Sequence, residues 1–428
     1  VSSVFLQLDQ PGSAVWLYTC GTVAIAVFFQ FTRPLLLRNW DLLGLFLFTP
    51  GFLLIEDSRR EGNPAERIAG YGWLLFASAV WFVRCLLDAG IVRRPLVAPN
   101  LTPPGLFWLA GAILLGLCVS TLSKPISLDP VSQRPQVREG IEPTPITAAP
   151  QESRVQASAP DTTRFWVARI LAVGCQIALT FLLVRICVRH FQDITTAAVA
   201  AALYLLLPVT GYQFDQSNQV WPTALLLGAI LSYRNPTAAG LFLGLAVGTS
   251  FFPLVLIPAW VQFYHGRGSG RFIIWATAAT GGSLLVSVPA LALAGEFSLG
   301  LLQPLNLTDW QPWRVPTAES VWTGGRWVYR LPLFVAYVGF VATTVVWPKV
   351  RNLGQLIAVS AAVLIGIQFW FADRGGVYVL WYAPLLILMV LRPTTTDLVP
   401  PPVNGVHLFR WLQRGHPNNG VPSPGIAV

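Results

Sequence analysis

The stretch from Ile194 to Tyr264 reads ITTAAVAAALYLLLPVTGYQFDQSNQVWPTALLLGAILSYRNPTAAGLFLGLAVGTSFFPLVLIPAWVQFY. Two apolar segments flank a polar break at Asp215, Gln216, Ser217, Asn218 and Gln219, and a basic turn at Arg234-Asn235-Pro236 leads into a longer apolar segment. Polar side chains are costly to bury in such surroundings, so several together invite a functional reading. Gly240, Gly244 and Gly248 recur at a spacing that places them on one helix face, a seam for close packing. Just past the seam, Ser250-Phe251-Phe252-Pro253 carries a proline that breaks the helix and frees backbone groups that only protein or water can satisfy.

Outward from this stretch the chain is of the same kind. Apolar residues make up 54% of it and charged residues 11%, and apolar runs long enough to span a bilayer recur along its length. Sustained alternation with period two is missing, which argues against a β-barrel and predicts an all-α polytopic bundle of about 11 to 13 helices. The net charge of +9 does not indicate nucleic acid, because the basic residues sit singly or in pairs at the ends of apolar runs, where membrane orientation accounts for them. Lys124 and Lys349 are the only lysines. Cys20, Cys85, Cys118, Cys175 and Cys187 all fall inside apolar runs without CxxC spacing and read as small buried hydrophobes. Residues 14 to 31 are taken as a first span rather than a cleaved signal, since no small-residue cleavage pattern follows them.

The expected spans are 14 to 31, 41 to 55, 68 to 91, 105 to 122, 165 to 188, 194 to 212, 220 to 232, 237 to 264, 272 to 294, 328 to 347, 352 to 371 and 377 to 391. Placing Arg33, Arg38, Arg93, Arg94, Arg185, Arg189, Arg234, His265, Arg267, Arg271, Lys349, Arg351 and Arg392 on the cytoplasmic side requires 237 to 264 to enter and return on one side. That segment is too short for two full spans, so it reads as a broken or re-entrant pair with its break near Ser250 to Pro253; a single long tilted helix is the alternative. Four parts result: an N-terminal four-helix membrane part (1–122), a proline-rich extracytoplasmic linker (123–164), a C-terminal membrane part (165–392) and a flexible cytoplasmic tail (393–428) in which 406 to 414 reads as a short amphipathic helix. The loop from 56 to 67 is expected outside. No internal repeat is visible.

Arg84 and Asp88, four apart on one span, read as a structural ion pair near the cytoplasmic end. The histidines are scattered, and no metal or cofactor is expected. The outer loop from 295 to 327 interleaves Trp310, Trp313, Trp322 and Trp327 with Asp309, Arg314, Glu319 and Arg326. It reads either as an interfacial aromatic belt or as a platform on which indole stacks a sugar ring, a carboxylate takes a proton and arginine forks onto phosphate.

Asp215-Gln216-Ser217-Asn218, the turn at Arg234-Asn235-Pro236, Ala239-Gly240 through Gly244, Ser250-Phe251-Phe252-Pro253 and Tyr378-Val379-Leu380-Trp381-Tyr382-Ala383-Pro384 come in the order and at a spacing similar to those of a known family. The stretch from Ala197 to Tyr264 resembles the core of the polyprenol-phosphate-dependent glycosyltransferases of family 87, membrane enzymes of GT-C fold that transfer mannose or a related sugar outside the cytoplasmic membrane. The family has Gly-Gln-x-Asn where this chain has Asp215-Gln216-Ser217-Asn218, and Lys-x-x-Pro where it has Ser250-Phe251-Phe252-Pro253. Its Asp-Phe-x-x-Tyr-Tyr signature is not legible here, and loop 123 to 164 offers only Asp129, Glu139, Glu142, Glu152 and Asp161 as acids.

What the resemblance implies is a GT-C-like C-terminal part in a bacterial inner-membrane protein that moves a hexose from a polyprenyl-phosphate carrier to an extracytoplasmic acceptor. Asp309, Glu319 or Asp129 would supply the catalytic acid. Asp215, Gln216, Asn218, Ser250, Arg314, Arg326, Trp310 and Trp313 would hold the substrate. The expected partners are the lipid-linked donor and membrane lipids. A non-catalytic scaffold that keeps the fold and associates with other membrane proteins is the first alternative, and a transporter the second.

Overall fold

The computed structural model describes residues 13–88, 98–123, 162–293, 312–313, 320–322, 324–347, 352–372, 376–393 and 398–401. All regular structure among the described residues is helical. The N-terminal part holds α1 (Ser13–Phe28), α2 (Leu37–Phe46), α3 (Thr49–Glu61), α4 (Pro64–Leu87) and α5 (Pro103–Ser123). Next come α6 (Thr162–Ile186), prolonged by a π turn over Cys187–Phe191, then α7 (Ile194–Leu206), α8 (Pro208–Tyr212), α9 (Ser217–Leu231) and α10 (Pro236–Thr249). A 3₁₀ turn (Phe252–Leu256) leads into α11 (Ile257–Phe263), followed by α12 (Ser269–Leu293), a 3₁₀ turn (Gly324–Tyr329), α13 (Arg330–Thr343), α14 (Leu353–Trp370) and α15 (Val379–Leu391). Among the described residues, four helices are long and apolar enough to cross a membrane: α4, α5, α14, and α6 with its π turn.

Burial separates these helices into two kinds. Nearly every side chain of α7, α14 and α15 is buried. By contrast, α5 and α6 present large apolar side chains outward, with Trp108 81% exposed and Leu115, Ile170, Leu171 and Phe181 also exposed. A soluble protein rarely leaves such faces open, and faces of this kind are compatible with contact to lipid. The cysteines follow the expected pattern, buried at Cys20, Cys85, Cys175 and Cys187 and half-buried at Cys118.

Within the stretch from 194 to 264, α9 and α10 pack against each other as a hairpin. Leu207 is extended (ψ 124) because the residue before a proline avoids the helical region, so the expected span 194 to 212 divides into α7 and α8 at Pro208. Asn235 starts α10 by accepting from the backbone N–H groups of Thr237 and Ala238 at 3.0 and 3.5 Å. The α9–α10 hairpin packs Gly228 against the ring of Phe242. On its other side α10 lies parallel to α12 along the glycine seam. A Cβ on Gly240 would stand 2.5 Å from the Phe272 carbonyl oxygen, one on Gly244 would meet the Ala276 carbonyl, and one on Gly248 would meet Ser283. Thr280 Oγ1 bridges the seam to the Gly244 carbonyl at 3.0 Å. At Ser250 the backbone is extended (φ −154, ψ 151), the helix ends, and the chain turns back through the 3₁₀ turn and α11. Tyr264 Oη donates to the Tyr233 carbonyl at 2.7 Å, so both ends of the segment lie at one end of the bundle.

Loop 56 to 67 differs from expectation. It is helical on either side of Gly62, which takes a left-handed φ of 71, and of Asn63, whose side chain accepts from the Ala65 N–H at 3.1 Å to start α4. Its charged residues signalled a loop, yet such residues also fill the exposed ends of helices. Nearly all of linker 123–164, and the tail helix expected over 406 to 414, lie outside the described residues.

Among the described residues, helix lengths and cross-links leave the central helices recessed at one end. The central helices α7, α9 and α10 hold 13, 15 and 14 residues, about 20 Å each, short of the roughly 30 Å hydrocarbon core. At the end where Tyr233 and Tyr264 meet they are level with their neighbours, since His190 Nε2 of the π turn lies 2.9 Å from the Leu231 carbonyl. At the other end they stop short. Gln176 Nε2 donates to the Phe214 carbonyl at 3.4 Å, leaving the first 14 residues of α6 to rise about 20 Å past the polar break. Ser283 faces Gly248, so the last turns of α12 rise past the end of α10, and Leu74 packs against Gly376, so the first turns of α4 rise past the start of α15.

Candidate functional site

The floor of this recess is built by the three segments that carry polar and aromatic residues out of step with the apolar runs: 215–219, 250–253 and 378–384. Gln219 is buried in the first turn of α9, and its Oε1 accepts from Trp381 Nε1 at 2.8 Å. Trp381 stacks on Phe252 with ring centroids 4.0 Å apart and planes 11° from parallel. Tyr378 lies 4.4 Å from the same indole, and Phe371 lies 5.2 Å from Tyr378. One amide and one indole thus join α9, the break after α10 and the start of α15. Beneath them Tyr204 Oη donates to Gln176 Oε1 at 2.7 Å, so the polar atoms of that buried glutamine serve α6, α7 and the break together.

Above this layer the polar break stays open. Asp215 and Asn218 are exposed, and Gln216, Ser217 and Ser250 are half-buried. Arg169, on the rising part of α6, lies within electrostatic reach of Asp215. Its Nη1 donates to the Leu122 carbonyl at the end of α5 at 3.1 Å, and its guanidinium lies 5.9 Å from the Trp166 ring centroid. A carboxylate, a guanidinium held by a carbonyl and an aromatic face, and two side-chain amides therefore share one mouth. Such a set can accept a proton, hold an anion and hydrogen-bond hydroxyl groups.

The other residues expected at the site fall differently. Asp129, Asp309, Trp310, Arg314 and Glu319 lie outside the described residues. Trp313 is 64% exposed, and Arg326 is exposed in the 3₁₀ turn before α13. Of loop 295 to 327, the fragment 320–322 is fixed at the C-terminal end of α14, where Ser320 Oγ donates to the Ala372 carbonyl at 2.8 Å and the Val321 N–H donates to it at 3.4 Å. Beside it Arg330 is buried, donates from Nε to the Trp370 carbonyl at 2.8 Å and lies 5.5 Å from the Phe371 ring centroid. Arg169 was absent from the expected set because its run reads as an ordinary span. The signal was an arginine one turn inside an apolar helix on the same side as the polar break.

A second cluster of charge occupies the opposite, basic end. Arg84 donates from Nε and Nη2 to the two oxygens of Asp41, both at 2.7 Å, and from Nη1 to Asp88 at 3.1 Å. Arg392 reaches the other Asp88 oxygen from Nη2 at 2.5 Å. The Asp88 side chain is fully buried, and those of Asp41 and Arg392 are 7% exposed. The expected Arg84–Asp88 pair is thus half of a four-membered network that ties α2 and α4 to the end of α15.

No protein-family model matches the chain, and no curated protein or solved structure is similar to it at a significant level. The fold and site define a helical protein with membrane-length helices, a polar recess at one end and a closed ionic clasp at the other.

Proposed function

We propose that this chain is a multi-pass protein of a bacterial cytoplasmic membrane whose recess opens outward and transfers a hexose from a polyprenyl-phosphate carrier to an acceptor hydroxyl, in the manner of a divergent GT-C glycosyltransferase. The observation that carries this reading is the joining of 215–219, 250–253 and 378–384 through Gln219, Trp381 and Phe252, because these are three of the five segments on which the family resemblance rests. A floor set below the bilayer surface suits a donor whose polyprenyl tail lies in lipid while its phosphosugar stands at headgroup depth.

In the proposed step the acceptor oxygen bonds to the anomeric carbon and the bond from that carbon to the phosphate oxygen breaks. The acceptor proton goes to the Asp215 carboxylate, and the departing polyprenyl phosphate takes the bonding pair, its charge held by Arg169 in place of the lysine missing at Ser250. Gln216 and Asn218 offer amides to the sugar hydroxyls. Asp309, Glu319 and Asp129 remain the alternative acids, and Arg314 and Arg326 the alternative anion donors.

The test is transfer of a radiolabelled hexose from a polyprenyl-phosphate donor by the purified full chain in nanodiscs. Asp215→Asn is expected to lower the rate at least about 100-fold. Unchanged transfer in Asp215→Asn moves the acid to loop 295 to 327 or to Asp129. One observation favours the scaffold reading instead: Gln219 and Trp381 are committed to each other within a stacked aromatic layer. Wild-type protein that neither binds nor turns over the donor supports that reading. Sidedness has its own check, in a background with the native cysteines replaced: an impermeant thiol reagent applied to intact cells should label Asn218→Cys and spare Arg234→Cys.

A further inference from the structure

Among the described residues, Gln368 is the one buried side chain whose donor and acceptor are both unmatched: it is 1% exposed, and neither Nε2 nor Oε1 has a hydrogen-bond partner. Buried amides are nearly always matched, and a polar side chain in the apolar interior of a membrane helix is kept where it is used. Gln368 lies in the last turn of α14, and the neighbours of that helix fix its direction. Ser360 accepts from Trp260 Nε1 of α11 at 3.3 Å. A Cβ on Gly366 would stand 2.7 Å from the Tyr337 ring of α13, and Phe369 meets the Phe82 ring of α4 edge-on at 5.7 Å. At about 100° per residue, Gln368 points away from α13 and between the directions of α11 and α4. That sector belongs to α15 and the 3₁₀ turn Phe252–Leu256, both of which pack on α14.

Its depth follows from a second contact. Phe371 lies 5.2 Å from Tyr378; one turn inward from Phe371 is Gln368, and one turn inward from Tyr378 is Trp381. Gln368 is therefore level with the Trp381 indole, which holds Gln219 by its N–H and carries the Phe252 ring on its face. Phe252 follows directly on the extended break at Ser250 and sits in a 3₁₀ turn, a weaker backbone than the α-helices around it.

An amide with a donor and an acceptor both unmatched is complemented by a hydroxyl group, which accepts and donates through one oxygen. An anion would match only the N–H side and a cation only the carbonyl. We propose that Trp381 and Gln368 form a closed subsite for a hydroxyl-bearing ring, a sugar. Phe252 moves aside, the ring takes its place on the indole, and one hydroxyl bonds to both polar atoms of Gln368, which makes Gln368 a specificity-determining residue. The inference rests on the proposed function only in taking the recess to bind a sugar; Asp215, Arg169 and the transfer step have no part in it.

The test is binding of methyl α-D-mannopyranoside to the purified full chain in nanodiscs by saturation-transfer NMR, with no lipid-linked donor present. Gln368→Leu should weaken binding at least about fivefold, the worth of one hydrogen bond, while its melting midpoint stays level or rises because an unmatched buried amide has been removed. One of the 2-, 3-, 4- and 6-deoxy analogues should bind wild type about fivefold more weakly than the parent glycoside, yet bind Gln368→Leu as well as the parent does, since the variant has already lost that bond. Saturable, Gln368-dependent binding in a protein that transfers nothing would sink the transferase reading and uphold this subsite. Absence of saturable binding by wild type overturns the proposal, as does undiminished binding by Gln368→Leu. A lowered melting midpoint in Gln368→Leu with unchanged binding would mean that the amide holds a resident water only, and would also overturn it.

Discussion

The two ends of the bundle treat charge in opposite ways. At the basic end Asp41, Arg84, Asp88 and Arg392 are withdrawn from solvent and each is answered by at least one opposite charge at hydrogen-bond distance. At the recess Asp215 and Asn218 stay exposed on a floor whose buried layer is made of neutral amides, phenols and indoles. A buried ion must be cancelled where it stands, so the basic end joins helices. An exposed carboxylate keeps its hydration, so Asp215 needs no buried counter-charge and does not join helices in that way.

The largest effect should come from breaking the closed end. Asp88→Ala leaves Arg392 and part of Arg84 buried without their carboxylate and is expected to cost about 3–5 kcal/mol of stability in detergent unfolding. Replacing both partners, Asp88→Leu with Arg392→Leu, should recover much of that loss; if the double change is as costly as the sum of its parts, the pair does not act as a unit. Next comes the glycine seam. Gly244→Leu drives a side chain into the Ala276 carbonyl, which cannot rotate away, and should cost about 2–3 kcal/mol, whereas Leu241→Ala, at a 38% exposed position, should be nearly silent. A harmless Gly244→Leu in the same melt would show that α10 and α12 are farther apart than described.

Within the recess the effects should be smaller and should divide by depth. Gln219→Leu strands the Trp381 indole N–H and is expected to cost about 1–2 kcal/mol. Asp215→Asn should change stability by no more than about 0.5 kcal/mol, because the side chain is exposed. That last result sharpens the contrast most. A carboxylate that can be neutralised without structural cost is kept for something other than the fold, whereas a large loss at Asp215 would make the recess a second clasp.

Much of the fold was legible because proline and arginine punctuate the chain. Pro253 announced the break in 237 to 264, and basic residues at both ends of that segment required it to return, as the Tyr264–Tyr233 bond shows that it does. The glycine spacing marked the face of α10, although nothing in it named α12 as the partner. Neighbours were harder to read because lipid and protein are equally apolar, so exposed α6 and buried α7 look alike as runs of hydrophobes. The same blindness hid Arg169 and the reach of Arg392 to Asp88. The polar break was visible as a site, while its depth depends on helix lengths that only packing reveals.

The contacts of Arg392, Leu398 and Pro400 are also a matter of timing. Arg392 closes on Asp88, the Leu398 carbonyl accepts from the Leu353 N–H at 2.9 Å, and the Pro400 carbonyl accepts from Arg267 at 3.3 Å, so one late segment fastens three earlier ones. Arg392 follows Asp88 by 304 residues, which at a synthesis rate of about 5–20 residues per second is a wait of roughly 15–60 s. During that interval Asp88 has Arg84, one helical turn away, to hold its charge. The nascent chain thus carries a local partner for its buried carboxylate until the distant one emerges.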